Sequence, residues 1–440
     1  MPRLLPWLAV IAAATALAPS FKTTISSNSN DWKKGVDEAL TLLALERGTA
    51  PAPDLAIVTV GLPLERYFET IVDEAFERTR AQTLVGVVGA GVIGGGKERE
   101  LQPCVAIAAG NLPEGSEVAP FTLSGDLEDP RQHRETERLL RASKACVLLG
   151  DPFSPITNAA SLVDGWLPSQ PVVGGLSCPA SQERPSIAIR TKGTTLSTPP
   201  GTVCGLAFRG AHLEMHALTA QGAAATGPVH AVTKTSARHL IQELDGRPAI
   251  ESLRETLSKT LQKDSRVAEL LKNALLIGLR PRGGDDAFLV RQVRGAGSDG
   301  SLLIGDDSIN EDTECRFMVR DDVAAREDLE DTIKRYSLEK MFKGSGRPLL
   351  SVLFACGGRG EGLFRENGVD SQAIREATNE APCVGFFANG ELGPVGARIS
   401  DGEDRIPTYL HGFTATCGVL VDTSVSLDAD DASGDESGAA

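Results

Sequence analysis

Two strand-like segments in the C-terminal part of the sequence each end in a glycine turn that carries a side chain able to do chemistry. The apolar run at residues 349–355 leads to Cys356, and Arg359 follows it between glycines. The second apolar run starts at residue 383 and leads through an Asn-Gly turn to Glu391. A thiol, a cation and an anion at the ends of buried strands indicate a sheet edge that faces a ligand.

The first hypothesis from these residues is a binding site for a small zwitterion such as an amino acid. We expect Arg320, Arg359 and Glu391 to converge at strand ends, where an arginine fork binds a carboxylate and the glutamate binds an ammonium group. The remaining predicted ligand-binding residues are Gly360 and Gly390 at the two turns, Asp321 after the strand that ends at Arg320, and His411 in the last predicted strand. The alternative is that each arginine forms a structural ion pair and that Glu391 is an exposed residue of an Asn-Gly hairpin turn.

A second hypothesis is a cysteine-dependent enzyme with Cys356 as the nucleophile and His411 as the base. A thiol at a strand end, next to backbone N–H groups and Arg359, can have a lowered pKa. Nothing in the spacing brings His411 to the thiol, and a buried, unreactive cysteine is the commoner outcome. We therefore favour a protein that is not an enzyme and assign no catalytic residue. If the protein is an enzyme, Cys356 and His411 are the candidate catalytic residues.

The segment at residues 83–100 contains three glycines in the spacing of the dinucleotide fingerprint, Gly89, Gly91 and Gly94. That fingerprint requires a helix that starts at the glycines and an acidic residue at the end of the next strand. Pro103 blocks a long helix, and the next predicted strand ends in Gly-Asn without an acid. The sequence therefore predicts a fold that is not a Rossmann fold, and no cofactor.

Three polar residues, His212, Glu214 and His216, alternate along one predicted strand and would share one of its faces. Two imidazoles and a carboxylate can bind zinc, but the sequence fixes no third histidine nearby. A polar strand edge that faces solvent is the alternative, and we favour it. No metal is expected.

The composition of the chain argues against some classes of binding partner and of structural scaffold. The chain has 440 residues, of which 41% are hydrophobic and 23% charged, as in ordinary globular proteins with two or three domains. A formal net charge of −15 without a basic stripe argues against nucleic-acid binding. The eight cysteines form no Cys-x-x-Cys pair, which argues against a metal cluster or a dense disulfide scaffold.

The N-terminal segment at residues 1–30 has the layout of a targeting sequence. Arg3 precedes an apolar run at residues 4–18, as in a signal peptide, and cleavage after Ala16 fits the small-residue pattern best. The residues that follow are rich in serine and threonine and resemble a transit peptide. We expect bipartite targeting to a plastid, with secretion, the ER or a buried N-terminal helix as alternatives. No later apolar run is long enough to span a bilayer, so no membrane span is expected in the mature chain.

Helical and strand-like patterns alternate through the rest of the chain, and most predicted strands close in a glycine turn. This order predicts an α/β protein of two lobes, with mixed β-sheets flanked by helices. We place the N-terminal lobe at residues 31–235 and the C-terminal lobe at residues 236–422. Residues 423–440 contain several acids and no base, which predicts a disordered acidic tail.

Ordered motifs in both lobes resemble the FIST family, the F-box and intracellular signal transduction sensory domains, over residues 54–421. The matching stretches are TLVGVVGAGVIG with the following Glu98, GDPFS, PVVGG, ELDGRPA, CRFMVRD, FACGGRGEGLF, GFFANGELGPVG and HGFTAT. The resemblance implies a sensory module that binds a small ligand in signal transduction, alone or attached to a signalling partner.

In animals this family is joined to an F-box in a ubiquitin-ligase substrate receptor. The stretch LPLERYFETIV resembles the start of an F-box only superficially, because it lies between two predicted strands and is better explained as a crossover helix. A role as a ubiquitin-ligase substrate receptor is therefore less favoured. A protein-interaction scaffold, in which the lobe surfaces or the acidic tail recruit a protein partner, is the other alternative.

Overall fold

The computed structural model describes residues 20–280, 288–306, 308–311, 313–343 and 346–425. The strands before residue 226 are β1 (Phe21–Ile25), β2 (Leu55–Gly61), β3 (Thr83–Gly89), β4 (Gly91–Gly94), β5 (Lys97–Glu100), β6 (Val105–Gly110), β7 (Glu117–Leu123), β8 (Ala145–Gly150), β9 (Val172–Leu176), β10 (Ile187–Thr191), β11 (Thr194–Leu196), β12 (Val203–Arg209), β13 (Leu213–Gln221) and β14 (Ala223–Ala225).

The later strands are β15 (His230–Ala237), β16 (Leu240–Leu244), β17 (Arg247–Pro248), β18 (Leu275–Arg280), β19 (Leu289–Ala296), β20 (Leu302–Ile304), β21 (Glu314–Arg320), β22 (Arg347–Cys356), β23 (Cys383–Ala388), β24 (Glu391–Gly393), β25 (Gly396–Ile399), β26 (Tyr409–His411) and β27 (Thr414–Asp422). The helices are α1 (Trp32–Arg47), α2 (Phe68–Thr79), α3 (Arg134–Arg141), α4 (Ile156–Trp166), α5 (Ala249–Lys263), α6 (Arg266–Asn273), α7 (Asp322–Lys343), α8 (Glu361–Phe364) and α9 (Val369–Ala377).

Three mixed sheets and one closed barrel contain these strands. The first sheet has the order β1-β6-β2-β3-β10-β11, the second β26-β24-β9-β8-β12-β7, and the third β25-β13-β27-β22-β23-β4-β5. In the barrel, the order β21-β15-β16-β20-β19-β18 closes because β18 pairs with β21. The predicted α/β class with mixed sheets flanked by helices, and not a Rossmann fold, is confirmed.

Parallel strand pairs form the centre of each open sheet. The pairs β2–β3, β8–β9 and β22–β23 are parallel, and each is joined by a segment that contains α2, α4 or α9. Parallel strands are covered on both faces, which explains why their sequences are almost continuous apolar runs. Side chains from all three sheets meet in one core, where the rings of Phe354 and Phe386 pack edge to face at 5.5 Å.

The N-terminal and C-terminal parts of the chain share two of the sheets. In the third sheet, β4 pairs with β23 through Val92 and Phe386. In the second sheet, β24 pairs with β9 through Glu391 and Gly175. Each part therefore supplies strands to the other, and the predicted lobes are interleaved in space.

The glycines of the rejected dinucleotide fingerprint lie in strands and not at the start of a helix. A Cβ atom at Gly89 would lie 2.6 Å from Cβ of Phe386, and one at Gly91 would lie 2.5 Å from the carbonyl oxygen of Arg99. These glycines allow close packing of β3 and β4 against β23 and β5, which confirms the rejection of the Rossmann reading.

The structure describes only part of the predicted targeting segment and of the predicted acidic tail. Residues 1–19 and 426–440 lie outside the described residues. Residues 21–25, within the predicted targeting segment, form β1, which pairs with β6 and buries Phe21. No helix of the described ranges is long and apolar enough to cross a membrane.

A Gly385→Ala substitution tests the β22–β23 pairing. The added Cβ would lie 1.8 Å from the carbonyl oxygen of Leu353, so the two backbones must separate. We expect the free energy of unfolding, measured by urea denaturation, to fall by about 1–3 kcal/mol. In the control Gly165→Ala, on α4, no atom beyond the neighbouring backbone of its own helix lies within 4 Å of the new Cβ, and we expect a gain of about 0.5–1 kcal/mol. Unchanged stability of Gly385→Ala would contradict the described pairing.

Candidate functional site

The two turns singled out by the sequence lie side by side at the C-terminal ends of two neighbouring strands. Because β22 and β23 are parallel, their C-terminal ends meet, and Cys356 lies beside Ala388 in the register. The chain then turns through Gly390, whose φ of 146° favours glycine, and enters β24. Glu391 pairs there with His411 of β26. We call Cys356, Arg359, Glu391 and His411 the strand-end cluster.

Arg359 is buried, with 1% of its surface exposed, and forms a bidentate ion pair. Its Nε and Nη2 atoms donate to the two carboxylate oxygens of Asp370 at 2.8 and 2.7 Å, and its guanidinium lies 5.2 Å from the Phe364 ring centre. Burial alone would lower the pKa of Arg359, because it disfavours the charged guanidinium. The interaction with the Asp370 carboxylate outweighs this effect, so the pKa is raised. The third nitrogen, Nη1, has no hydrogen-bond partner among the described residues.

The position of Asp370 depends on a carboxylate from the N-terminal part of the chain. Asp370 lies in the first turn of α9, and Glu98 on β5 accepts backbone N–H groups of Gly368 and Ser371 at 3.2 and 3.0 Å. Glu98 is buried, which raises its pKa. Because it holds the start of α9, it also fixes the counterion of Arg359. No motif in the sequence indicated this role for Asp370.

Glu391 is fully buried and is not an exposed turn residue. Its Oε2 accepts the Thr414 hydroxyl at 2.7 Å and the Thr414 backbone N–H at 3.3 Å, whereas Oε1 has no partner within the described part of the chain. Burial raises the pKa of Glu391 to about 8, against the lowering effects of Thr414 and Arg359. The side chain is therefore mostly protonated and neutral at pH 7.

His411 is also buried and neutral. Its Nε2 lies 2.9 Å from the carbonyl oxygen of Gly393 and must carry the proton, because that oxygen can only accept. Nδ1 then presents a lone pair, for which the described residues offer no partner. Burial lowers the pKa of His411 to about 4.

The thiol of Cys356 is protonated at neutral pH. Burial and the nearby Glu391 raise its pKa to about 12, although hydrogen bonds from the backbone N–H groups of Gly358 and Phe413 act in the opposite direction. Among the hydrogen bonds of the described residues, none joins Cys356 to His411. The sulfur therefore lacks the activated state that a nucleophile requires.

The other predicted residues surround the same turn or support a neighbouring helix. Arg320, at the end of β21, donates to the carbonyl oxygen of Gly358. Asp321 instead caps α7, because its Oδ1 accepts the backbone N–H of Val323 at 2.9 Å. Gly360 has a φ of 64°, and a Cβ there would lie 2.3 Å from a carboxylate oxygen of Glu100. The structure thus brings Arg320 and Gly360 to the cluster and turns the Asp321 side chain toward α7; their roles in ligand binding stay predictions.

Gly222, which the sequence did not single out, lies next to the unpartnered nitrogen of Arg359. A Cβ at this position would lie 3.0 Å from Nη1 of Arg359 and 2.7 Å from the carbonyl oxygen of Phe413. Glycine therefore preserves space beside the guanidinium. A lone glycine between two strands carries no sequence signal that would identify this role.

The alternating histidines lie away from the cluster. His216 is buried on β13, with Nδ1 3.0 Å from the Tyr336 hydroxyl of α7 and Nε2 3.9 Å from a carboxylate oxygen of Glu214. His212 precedes the strand. The His216 side chain is thus buried against α7, so the favoured alternative, a polar strand edge that faces solvent, is wrong for this residue.

Comparison with known proteins matches both parts of the chain. The FIST N domain matches residues 54–247, and the FIST C domain matches residues 249–394. An uncharacterized protein of Mycobacterium tuberculosis (strain H37Rv) is 30% identical over 354 residues, which cover 77% of this chain and 84% of the relative. An uncharacterized protein of Mycobacterium bovis is 28% identical over 386 residues, which cover 84% of this chain and 91% of the relative.

These matches confirm the resemblance that the motifs indicated. Domains of this family are associated with sensory roles in signal transduction. With its N-terminal and C-terminal domains both present and interleaved around the strand-end cluster, the chain belongs to the FIST family.

Proposed function

We propose that this protein is a non-enzymatic sensory protein that binds a small zwitterion, such as an amino acid, at the strand-end cluster. One observation carries the proposal. Three buried side chains of the cluster each have one polar atom without a partner among the described residues: Nη1 of Arg359, Oε1 of Glu391 and Nδ1 of His411. Leaving such an atom unsatisfied costs about 1–3 kcal/mol, so a ligand that pairs with all three gains binding energy.

The chemistry of the three atoms suits a zwitterion. Nη1 of Arg359 is a donor that matches a carboxylate oxygen, and its orientation is held because Asp370 binds the other side of the guanidinium. Nδ1 of His411 is an acceptor for an ammonium N–H. Glu391 is mostly neutral in the free protein and would ionise when an ammonium group arrives, with release of its proton.

The state of the thiol supports binding over catalysis. A nucleophilic cysteine needs a thiolate, and the pKa of Cys356 is raised to about 12. The backbone N–H groups of Gly358 and Phe413, which are directed at the sulfur, instead stabilise the turn that carries Arg359.

Glu391→Gln tests the ligand class and its pH dependence. An ammonium group favours the ionised carboxylate, so the affinity of the wild-type protein should rise by up to about tenfold per pH unit between pH 6 and 8. The variant should bind at least about tenfold more weakly at pH 8 and lose this dependence. Calorimetric titration of a panel of amino acids measures both effects.

The control for that titration is Glu65→Gln, which changes another buried carboxylate, one that accepts the backbone N–H of Ala180. It should leave the affinity and its pH dependence unchanged. If no amino acid binds the wild-type protein, or if both variants behave alike, the zwitterion proposal fails.

Arg359→Ala tests the buried ion pair. It leaves Asp370 buried without its counterion, and we expect the free energy of unfolding to fall by about 3–5 kcal/mol. The control Arg131→Ala removes an exposed pair with Asp129, 3.0 Å apart, and should change stability by less than about 1 kcal/mol. Urea denaturation measures the free energy of unfolding of both variants. If Arg359→Ala loses no more stability than the control, the ion pair does not stabilise the fold as expected.

We also propose that residues 1–30 direct the protein to a plastid. Cleavage after Ala16 would leave β1, which begins at Phe21, in the mature protein. Residues 1–30 fused to a fluorescent protein should reach the plastid of an alga with complex plastids. Fluorescence in the ER or the medium would instead support the secretory alternative.

A further inference from the structure

We infer that the protein has a second small-molecule site, specific for an oxyanion (a carboxylate or a phosphate ester), in a cleft between α5 and the β14–β15 loop. The cleft has a volume of about 500 Å³, a size that accommodates a metabolite. We call it the α5 cleft; the residues of its lining that matter for the argument are Thr226, His230, Asp245, Glu255, Lys259 and Lys263. None of them belongs to the strand-end cluster.

The first observation is a pair of unpartnered polar atoms in the wall of the α5 cleft. Thr226 is only 7% exposed, and its Oγ1 has no hydrogen-bond partner among the described residues. The same holds for Nε2 of His230, whose side chain is 11% exposed. Two such atoms in one wall indicate a polar partner that the protein itself does not supply.

The second observation is that the carboxylates around the α5 cleft already accept hydrogen bonds at every oxygen. Asp245 accepts the backbone N–H of Ala231 at 2.9 Å and contacts Nδ1 of His230 at 2.7 Å. Glu255 accepts Nζ of Lys259 at 2.6 Å and Nη1 of Arg247 at 2.7 Å. The acidic side chains therefore have little capacity left for a ligand that donates hydrogen bonds.

Donor groups in the α5 cleft, by contrast, exceed the acceptors. The ammonium group of Lys259 uses one N–H on Glu255 and has others to offer, and Lys263 brings a further ammonium group one turn along α5. The Thr226 hydroxyl in the lining adds a further donor. A ligand rich in acceptors and negatively charged fits this set.

The turn that carries Asp245 orients these groups. Asp245 adopts a positive φ of 50°, and the next residue, Gly246, has a φ of 74°. This geometry places the carboxylate against His230 and leaves Arg247 beside α5. The turn belongs to the ELDGRPA stretch, which contributes no residue to the strand-end cluster. The α5 cleft therefore gives this motif a separate role.

Calorimetric titration with inorganic phosphate and with malonate, at constant ionic strength, tests the inference. We expect saturable binding of at least one probe, and the probe that binds more tightly identifies the phosphate or the carboxylate class. Lys263→Ala and Thr226→Val should each weaken binding by about tenfold or more. Thr226→Val keeps the side-chain shape and removes a hydroxyl without a partner, and Lys263 is exposed, so neither change should lower stability.

Matched controls separate a specific site from general electrostatic attraction. Thr59→Val removes another buried hydroxyl without a described partner, on β2, and Lys33→Ala removes another exposed lysine, on α1. Both should keep the wild-type affinity, as should Glu391→Gln, since that residue belongs to the other site. Absence of saturable binding to both probes, or equal weakening by cleft and control variants, would overturn the inference.

Discussion

The arrangement of the strand-end cluster depends on the buried ion pair between Arg359 and Asp370. Two charges that leave water carry a large desolvation cost, and a bidentate pair offsets it only when both ions are held in place. The turn after β22 holds the cation, and the first turn of α9 holds the anion. Glu98 holds that helix start through the N–H groups of Gly368 and Ser371. A strand from the FIST N domain thus positions a guanidinium of the FIST C domain, so both domains contribute to the strand-end cluster.

Burial sets the protonation states around this ion pair. The same desolvation raises the pKa of Glu391 and of Cys356 and lowers that of His411. All three are therefore mostly neutral at pH 7, and the Arg359 guanidinium lies near Glu391 and Cys356. Neutral groups with unused hydrogen-bonding capacity suit recognition of a ligand, whereas nucleophilic catalysis needs a thiolate and a base that contacts it.

The barrel is joined to the cluster through the turn between β26 and β27. Phe413 lies in that turn with a φ of 63° and packs against Leu276, Val290 and Met318, which come from three barrel strands. The strand that carries Met318 ends at Arg320, which donates to the Gly358 turn of the cluster. The α5 cleft flanks the same barrel, so packed side chains connect the two proposed sites.

Local sequence patterns located many of the strands and helices and the turns at which they end. Continuous apolar runs that close in glycine identified the buried strands, and Pro103 excluded the helix that a Rossmann fold requires. Only the tertiary structure decided which charges are buried and paired. Arg359, in the turn after β22, pairs with Asp370 eleven positions later on α9, and Glu391, which follows an Asn-Gly turn typical of exposed hairpins, is buried in a strand between β9 and β26. Local spacing specifies backbone geometry, but burial and charge pairing depend on contacts between residues that are distant in the chain.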